Sequence, residues 1–395
     1  MGVSFLCGAL IARMLGVAGR GEVVYVVTWA AVVALVAAAG VVPATKRAGN
    51  LLRASSLVRP VVVVTGLRLV VVAALGLIAW AVAERPAGLD GWRLLILLAL
   101  GYATALQTTV AGVAGTVARS TLASATYAAG TVVLAVGLTA LAVVSGLGVT
   151  EILVLWAITS GVSVIVVCRC LEDGRPPGPT RTMLRWSTGA SWGELALAAT
   201  WRMDNLVVGG VLGLIDLGRY SAAVAVAEVA MALIAGVRLA MLRTTATDTA
   251  RAAREALRLT LLVAAPAVVG AALLGPAAIR WLFGPEFVDL QVVLWTLLPG
   301  TVAMGLSTVL MDHVAGAGRT RWVNVAGVLA LVVNLTANFL FLPRWGISGA
   351  ALASTIAYGT AAATLWVGCT RPPNLRSRGT ACGAVTEVTD RLRSG

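Results

Sequence analysis

Two ionisable residues stand where a membrane span would be expected to be apolar. Arg202 and Asp204 lie in the stretch WRMDNLVVGGVLGLIDLGRY, residues 201–220. Each costs about 2.5–3.5 kcal/mol at a helix centre on the insertion scale, so each should face a cavity or a partner. Two residues apart, they point about 200° away from each other and cannot pair along the helix. Either Arg202 holds an anion while Asp204 orders it or couples an ion, or both belong to an ion-pair network between helices.

Other polar residues interrupt the apolar runs in the same way. Arg13 ends the first run, either guiding an anion at that face or snorkelling to the interface. Arg68 lies about 12 Å into its span at 1.5 Å per residue and either faces a cavity or reaches back to the surface. Arg238 is close enough to Arg243 to snorkel. Glu194 and Glu228 are intramembrane carboxylates that either bind a proton or sodium ion or pair with an arginine. Asp312 and His313 suit a proton relay or a cap. Asn334 and Asn338 share one helix face, for sugar hydroxyls or for a neighbouring helix.

Composition excludes several kinds of chemistry. His313 is the single histidine, and none of the five cysteines forms a CxxC pair, so no metal centre or cofactor is expected. No Walker A pattern surrounds the lone lysine, Lys46, so ATP hydrolysis is not expected. The net charge of +13 is scattered singly between apolar runs, which argues against a nucleic-acid partner. Hydrophobic residues make up 59% of the 395 and charged ones 12%, against about 25% charged in a soluble domain. Membrane lipid is the expected solvent.

The elements that must position these groups are therefore transmembrane helices. Runs near the 20 residues needed to span lie at 23–43, 60–83, 93–115, 122–146, 149–170, 186–212, 219–242, 257–283, 287–313, 320–343 and 346–369. A shorter run at 2–15 is read as a twelfth span lacking its first turns, or as a helix that stops midway. With twelve spans, 20 basic residues fall in the connections on one side and seven, including Arg13 and Arg20, on the other. The positive-inside rule then places both termini in the cytoplasm. The basic stretch 243–258 is expected to lie as a helix on that surface, against anionic headgroups.

The chain also echoes itself. Leu15-Gly16 is followed by Gly21, and Leu212-Gly213 by Gly218, an L-G-x4-G pattern repeated 197 residues apart. Gly148 and Gly346 repeat at 198. Six spans return the chain to its starting side, so two such halves would share one orientation about an axis along the membrane normal. The expected fold is an all-α integral membrane protein of about twelve helices in two pseudo-symmetric six-helix lobes. The lobes are 1–170 and 186–370, joined by a cytoplasmic linker at 171–185 and followed by a tail at 371–395. Pro266 and Pro299 are expected to kink their spans.

IARMLGVAGRGEVVYVV, RMDNLVVGGVLGLIDLGRYSAAVAVAE, LFGPEF, AGAGR and NLTANFLFLPRWGISGAALAS together resemble the polysaccharide biosynthesis flippases. These belong to the superfamily of multidrug, oligosaccharidyl-lipid and polysaccharide exporters. The resemblance implies a bacterial plasma-membrane protein that moves an undecaprenyl-diphosphate-linked oligosaccharide from the cytoplasmic to the outer leaflet by alternating access. It also implies polysaccharide polymerases and glycosyltransferases as neighbours. Arg202, Asp204, Arg13, Arg68, Asn334 and Asn338 would line the cargo cavity, and Glu194, Glu228, Asp204 and Asp312 would be coupling carboxylates.

Physics agrees that such a cargo needs help, because unpaired polar groups cost several kcal/mol each in hydrocarbon and charges more. The cavity that shelters it should be cationic. Outward movement of about two negative charges gains roughly 4–5 kcal/mol per 100 mV if the full field is crossed, so the membrane potential can drive export; a proton or sodium gradient is the alternative. The competing functions are a multidrug or organic-cation antiporter of the same superfamily, with an acidic cavity, and a membrane-embedded polysaccharide polymerase or ligase. The short outer loops disfavour an enzyme.

Overall fold

A computed structural model describes residues 2–42, 44–45, 57–82, 91–116, 120–144, 148–171, 180–188, 192–241, 249–287, 289–317 and 319–371. The elements are α1 (Gly2–Ala38), α2 (Val58–Val82), α3 (Gly91–Thr116), α4 (Ser120–Val144), α5 (Val149–Leu171), α6 (Thr180–Thr188), α7 (Trp192–Val211), α8 (Leu214–Met241), α9 (Thr249–Phe283), α10 (Gln291–Gly316) and α11 (Thr320–Thr370). A short 3₁₀ turn, Pro285–Phe287, joins α9 to α10. Among the described residues, seven helices carry a stretch long and apolar enough to cross a membrane. Their outer surface is made for lipid: Phe339 is 81% exposed and Leu273 and Trp281 74% each, exposure that water would oppose.

The longest helices are pairs broken at glycine. Gly16 in α1 has φ 66° and Gly346 in α11 has φ 54°, left-handed values that only glycine adopts without strain. Dividing α1 and α11 at these points gives, among the described residues, six helical segments before α6 and six after it, the first of them, residues 2–15, shorter than a full span. Gly213, the 197-residue counterpart of Gly16, also has a positive φ, 96°, and turns the chain from α7 into α8. The repeated L-G-x4-G pattern is therefore a repeated corner. The prolines do not play this part. α9 runs on through Pro266 and Pro276, and α10 through Pro299, as unbroken helices.

Following the chain, Gly16, Gly213, Gly284 and Gly346 fall on one face of the bundle, the Gly16 face. The start of α1 and the end of α11 fall on the opposite, terminal face. The six segments up to α5 have their own cores, one around Val61, Val110 and Val167, another around Ile11, Leu100, Leu138 and Ile152. The second six close around Leu310, Val314, Val323 and Leu365. The largest apolar cluster joins the halves: Ala9, Ala12 and Val17 of α1 meet Tyr220, Ala223, Phe283 and Leu294. The halves touch chiefly through α1, which lies against α7, α8 and α9.

Two connections differ from the sequence reading. The basic stretch expected to lie flat on the surface is, from Thr249 onward, the beginning of the 35-residue α9. At 1.5 Å per residue α9 is about 52 Å long against a hydrocarbon core of about 30 Å, so its arginine-rich turns stand clear of the core. The connection between halves is also more structured than an extended strap, since α6 docks on the first half. Met183 is fully buried in the Val61 core, and Arg68 donates to Ser187 Oγ at 2.8 Å and to the Ala39 carbonyl. Pro176 and its neighbours lie outside the described residues, as does the tail from 372.

Removing the Arg68 clamp should free α6. Arg68→Ala is expected to raise the rate of tryptic cleavage after Arg181 and Arg185 about tenfold, since hydrogen bonds from a charged group are worth about 1.5–3 kcal/mol. Unchanged cleavage in limited proteolysis would mean that Met183 alone holds the helix.

Candidate functional site

Between the halves lies a cavity of about 650 Å³, walled by α1, α3, α4 and α5 on one side and by α7, α8, α10 and α11 on the other. Its charged lining is Arg20, Arg202, Asp204 and Glu228. Arg202 is exposed within it, near the middle of α7, in electrostatic reach of both Asp204 and Glu228. The sequence expectation of a cationic chamber is thus corrected: two arginines face two carboxylates, and the formal charges balance.

Asp204 is committed to the second half. It is 4% exposed. Its Oδ2 accepts from Tyr220 Oη at 2.8 Å and from Ser354 Oγ at 3.1 Å, and Oδ1 accepts from the Asn205 amide at 3.0 Å. The carboxylate therefore ties α7 to α8 and α11. Such bonds to an ionised acceptor are about twice as strong as neutral ones, which is how a buried carboxylate is tolerated.

Hydropathy places Arg20 in a connection on the Gly16 face. It is instead 4% exposed. Nε donates to Ser221 Oγ at 2.9 Å, Nη2 to the Ser221 carbonyl at 3.1 Å and Nη1 to the Gly8 carbonyl. Its guanidinium lies 4.7 Å over the Phe283 ring. An arginine among glycines just after a corner reads as loop when spans are drawn by hydropathy. Its one sequence signal is its place inside the repeated L-G-x4-G.

The remaining lining suits a polyhydroxylated guest. Thr131, Thr159, Ser163 and Thr301 line the cavity and each donates its hydroxyl proton to a carbonyl of its own helix. Their lone pairs are left to accept. Asn205 Oδ1 and Trp201 Nε1 have no hydrogen-bond partner among the described residues, and both residues line the cavity. Trp156, Trp201, Tyr127 and Tyr358 add aromatic rings to the lining.

Of the other expected site residues, only Glu228 joins Arg202 and Asp204 here. Arg13 instead caps the end of α9, donating to the Leu282 carbonyl at 2.9 Å and to that of Trp281. It lines a separate, more open cleft of about 780 Å³ on the Gly16 face, with Arg280 and Glu286. Arg68 is spent on the α6 clamp. Glu194 sits in the first turn of α7, where a carboxylate complements the helix dipole. Asp312 is half-buried near the terminal-face end of α10, where His313 Nδ1 lies 2.8 Å from the Val309 carbonyl. Asn334 and Asn338 are buried in α11 rather than in the cavity wall. Asn338 Nδ2 donates to the Asn334 carbonyl at 3.0 Å and to its Oδ1 at 3.2 Å, while Asn334 Nδ2 and Asn338 Oδ1 find no partner among the described residues.

Known proteins share this architecture. A family model described as polysaccharide biosynthesis protein matches residues 10–292, and one described as lipid II flippase MurJ matches residues 222–381. No curated protein matches the chain by sequence. The fold is that of lipid II flippase MurJ in an inward closed conformation (TM-score 0.76, 14% identity, 94% of this chain and 86% of that one). An inward-facing multidrug resistance MATE family transporter of the MOP superfamily is also similar (TM-score 0.72, 15% identity, 96% and 94%). So is a MOP superfamily transporter from Pyrococcus furiosus, described as having a binding pocket of reverse polarity (TM-score 0.60, 16% identity, 93% and 91%).

Proposed function

Because the chain belongs to the polysaccharide biosynthesis protein family, we propose that it flips a lipid-linked oligosaccharide, carried on undecaprenyl diphosphate, from the cytoplasmic to the outer leaflet of a bacterial plasma membrane. The observation that carries this reading is the composition of the cavity between the halves. An accessible arginine at mid-membrane depth stands among hydroxyl acceptors and aromatic rings. Arg202 holds the diphosphate, the hydroxyls accept from the sugars, and the rings stack on their apolar faces. The lipid tail stays in hydrocarbon.

Arg20 has three of its donors engaged and belongs to the wall rather than to the cargo. Glu228 competes for Arg202 and releases it when the diphosphate arrives. Asp204 couples an ion or fixes the second half, and the membrane potential supplies the rest of the driving force. Both termini are cytoplasmic in this reading, so the Gly16 face is the outer one. The lobes 1–170 and 186–370 rock against each other, and polymerases and glycosyltransferases act on either side of the step.

Purified protein in liposomes carrying a fluorescent undecaprenyl-diphosphate oligosaccharide should make the inner-leaflet label accessible to an external glycosidase. Protection equal to that of empty liposomes would overturn the reading. A second reading, organic-cation export, draws support from the two carboxylates in the cavity. In that case the same liposomes would move ethidium and leave the glycolipid protected.

A further inference from the structure

The contact between the halves on the Gly16 face repeats itself. A Cβ built on Gly21 would lie 1.8 Å from the Leu214 carbonyl oxygen, and one built on Gly218 would lie 2.0 Å from the Val17 carbonyl oxygen. Val17 and Leu214 are 197 residues apart, as are Gly21 and Gly218. The two approaches are thus one contact made twice about the pseudo-twofold axis, as in an isologous interface. In both, the helix backbones meet with nothing but glycine between them. The obstructing atoms are backbone, so no rotamer change relieves the overlap.

Arg20 lies one residue from Gly21 and bridges the same seam. It reaches the Gly8 carbonyl in its own half, and Ser221 and Phe283 in the other. Its counterpart 197 residues on is Leu217, fully buried. The seam is symmetric in its backbone and one-sided in its charge.

We infer that Gly21 and Gly218 form the gate that closes the Gly16 face, and that Arg20 is its latch through Ser221. Gly21, Gly218 and Ser221 are therefore positioning residues that set which face the cavity opens to. Opening that face separates Gly21 from Leu214 and Gly218 from Val17, and strips Arg20 of Ser221 and Phe283. Any side chain on either glycine holds the gate ajar. Removing the Ser221 hydroxyl weakens the latch without adding bulk. This assignment concerns access alone and holds whichever cargo the cavity takes.

The test uses the full chain with its five cysteines replaced, Ser160→Cys as a cavity reporter, and a C-terminal tag to mark membrane sidedness. Labelling by a membrane-impermeant maleimide is measured from the Gly16 face. Ser221→Ala should raise labelling about tenfold, the shift expected from losing one hydrogen bond to a charged group. Gly21→Ala and Gly218→Ala should raise it further, and the double variant no more than either alone, because both act on one seal. Gly210→Ala, whose added methyl meets nothing within 4 Å, should label like the parent. Parent-like labelling in Gly21→Ala, Gly218→Ala and Ser221→Ala would overturn the inference. Should the glycine variants fail to reach the membrane, Ser221→Ala decides alone: a rise supports the gate and no rise sinks it.

Discussion

Replacing Arg202 by alanine is expected to reduce glycolipid export about thirtyfold or more while leaving membrane insertion and thermal stability unchanged. Truncating one partner of a desolvated phosphate–guanidinium contact costs about 2–5 kcal/mol. Stability should hold because Arg202 is exposed within the cavity rather than buried in a core. Its loss would still leave Glu228 in the cavity without its nearest relief, so the double variant Arg202→Ala/Glu228→Gln separates two effects. If the single variant fails because Glu228 repels the diphosphate, the double variant recovers part of the export. If Arg202 itself binds the cargo, it recovers little. Normal surface polysaccharide in cells carrying Arg202→Ala would remove the residue from the mechanism.

The second large effect is expected at Asp204, and it should appear first in stability. Asp204→Ala removes the acceptor for Tyr220 Oη, Ser354 Oγ and the Asn205 amide in a fully enclosed place. Breaking a buried, hydrogen-bonded charge in this way costs about 3–5 kcal/mol. Thermal unfolding in detergent should therefore shift down by several degrees. Asp204→Asn keeps the shape and one acceptor oxygen, enough for both Tyr220 and Ser354, and should recover most of that loss. The two variants then divide structure from coupling. If Asp204 carries an ion, Asp204→Asn folds well yet exports at a rate indifferent to the sodium or proton gradient. If its role is only to join α7, α8 and α11, the gradient response survives in Asp204→Asn.

Much of this architecture was legible in the residues, because a bilayer imposes length and apolarity on every span. The repeated L-G-x4-G announced two halves, and its first glycines, Gly16 and Gly213, prove to be the corners where φ turns positive. Arg202 stood out for the same reason that it lines the cavity: a charge in hydrocarbon needs somewhere to face. Periodicity does not tell which partner a charge finds, so two readings of each stayed open there. Arg68 and Arg13 could each face a cargo or reach back to the interface, and they donate instead to backbone carbonyls and Ser187. Arg20 looked like loop and is among the most enclosed charges of the chain. Asn334 and Asn338 share a face as their spacing requires, but that face turns into the helix bundle. Hydropathy also placed the start of the seventh span at 186, because it cannot separate a short docked helix such as α6 from the span that follows it.

That docked helix sets a dimension of the machine. The chain between Leu171 and Trp192 is long enough to serve as a slack leash, but Arg68 and Met183 fasten its last helix to the first half. Only three residues, 189–191, then separate that helix from Trp192. Four peptide steps at about 3.6 Å reach roughly 14 Å, which caps how far the start of α7 can move from α6. Casting off α6 would let out nine more residues and widen that limit. On the proposed function, the breadth of headgroup admitted would be metered by a small helix outside the cavity wall.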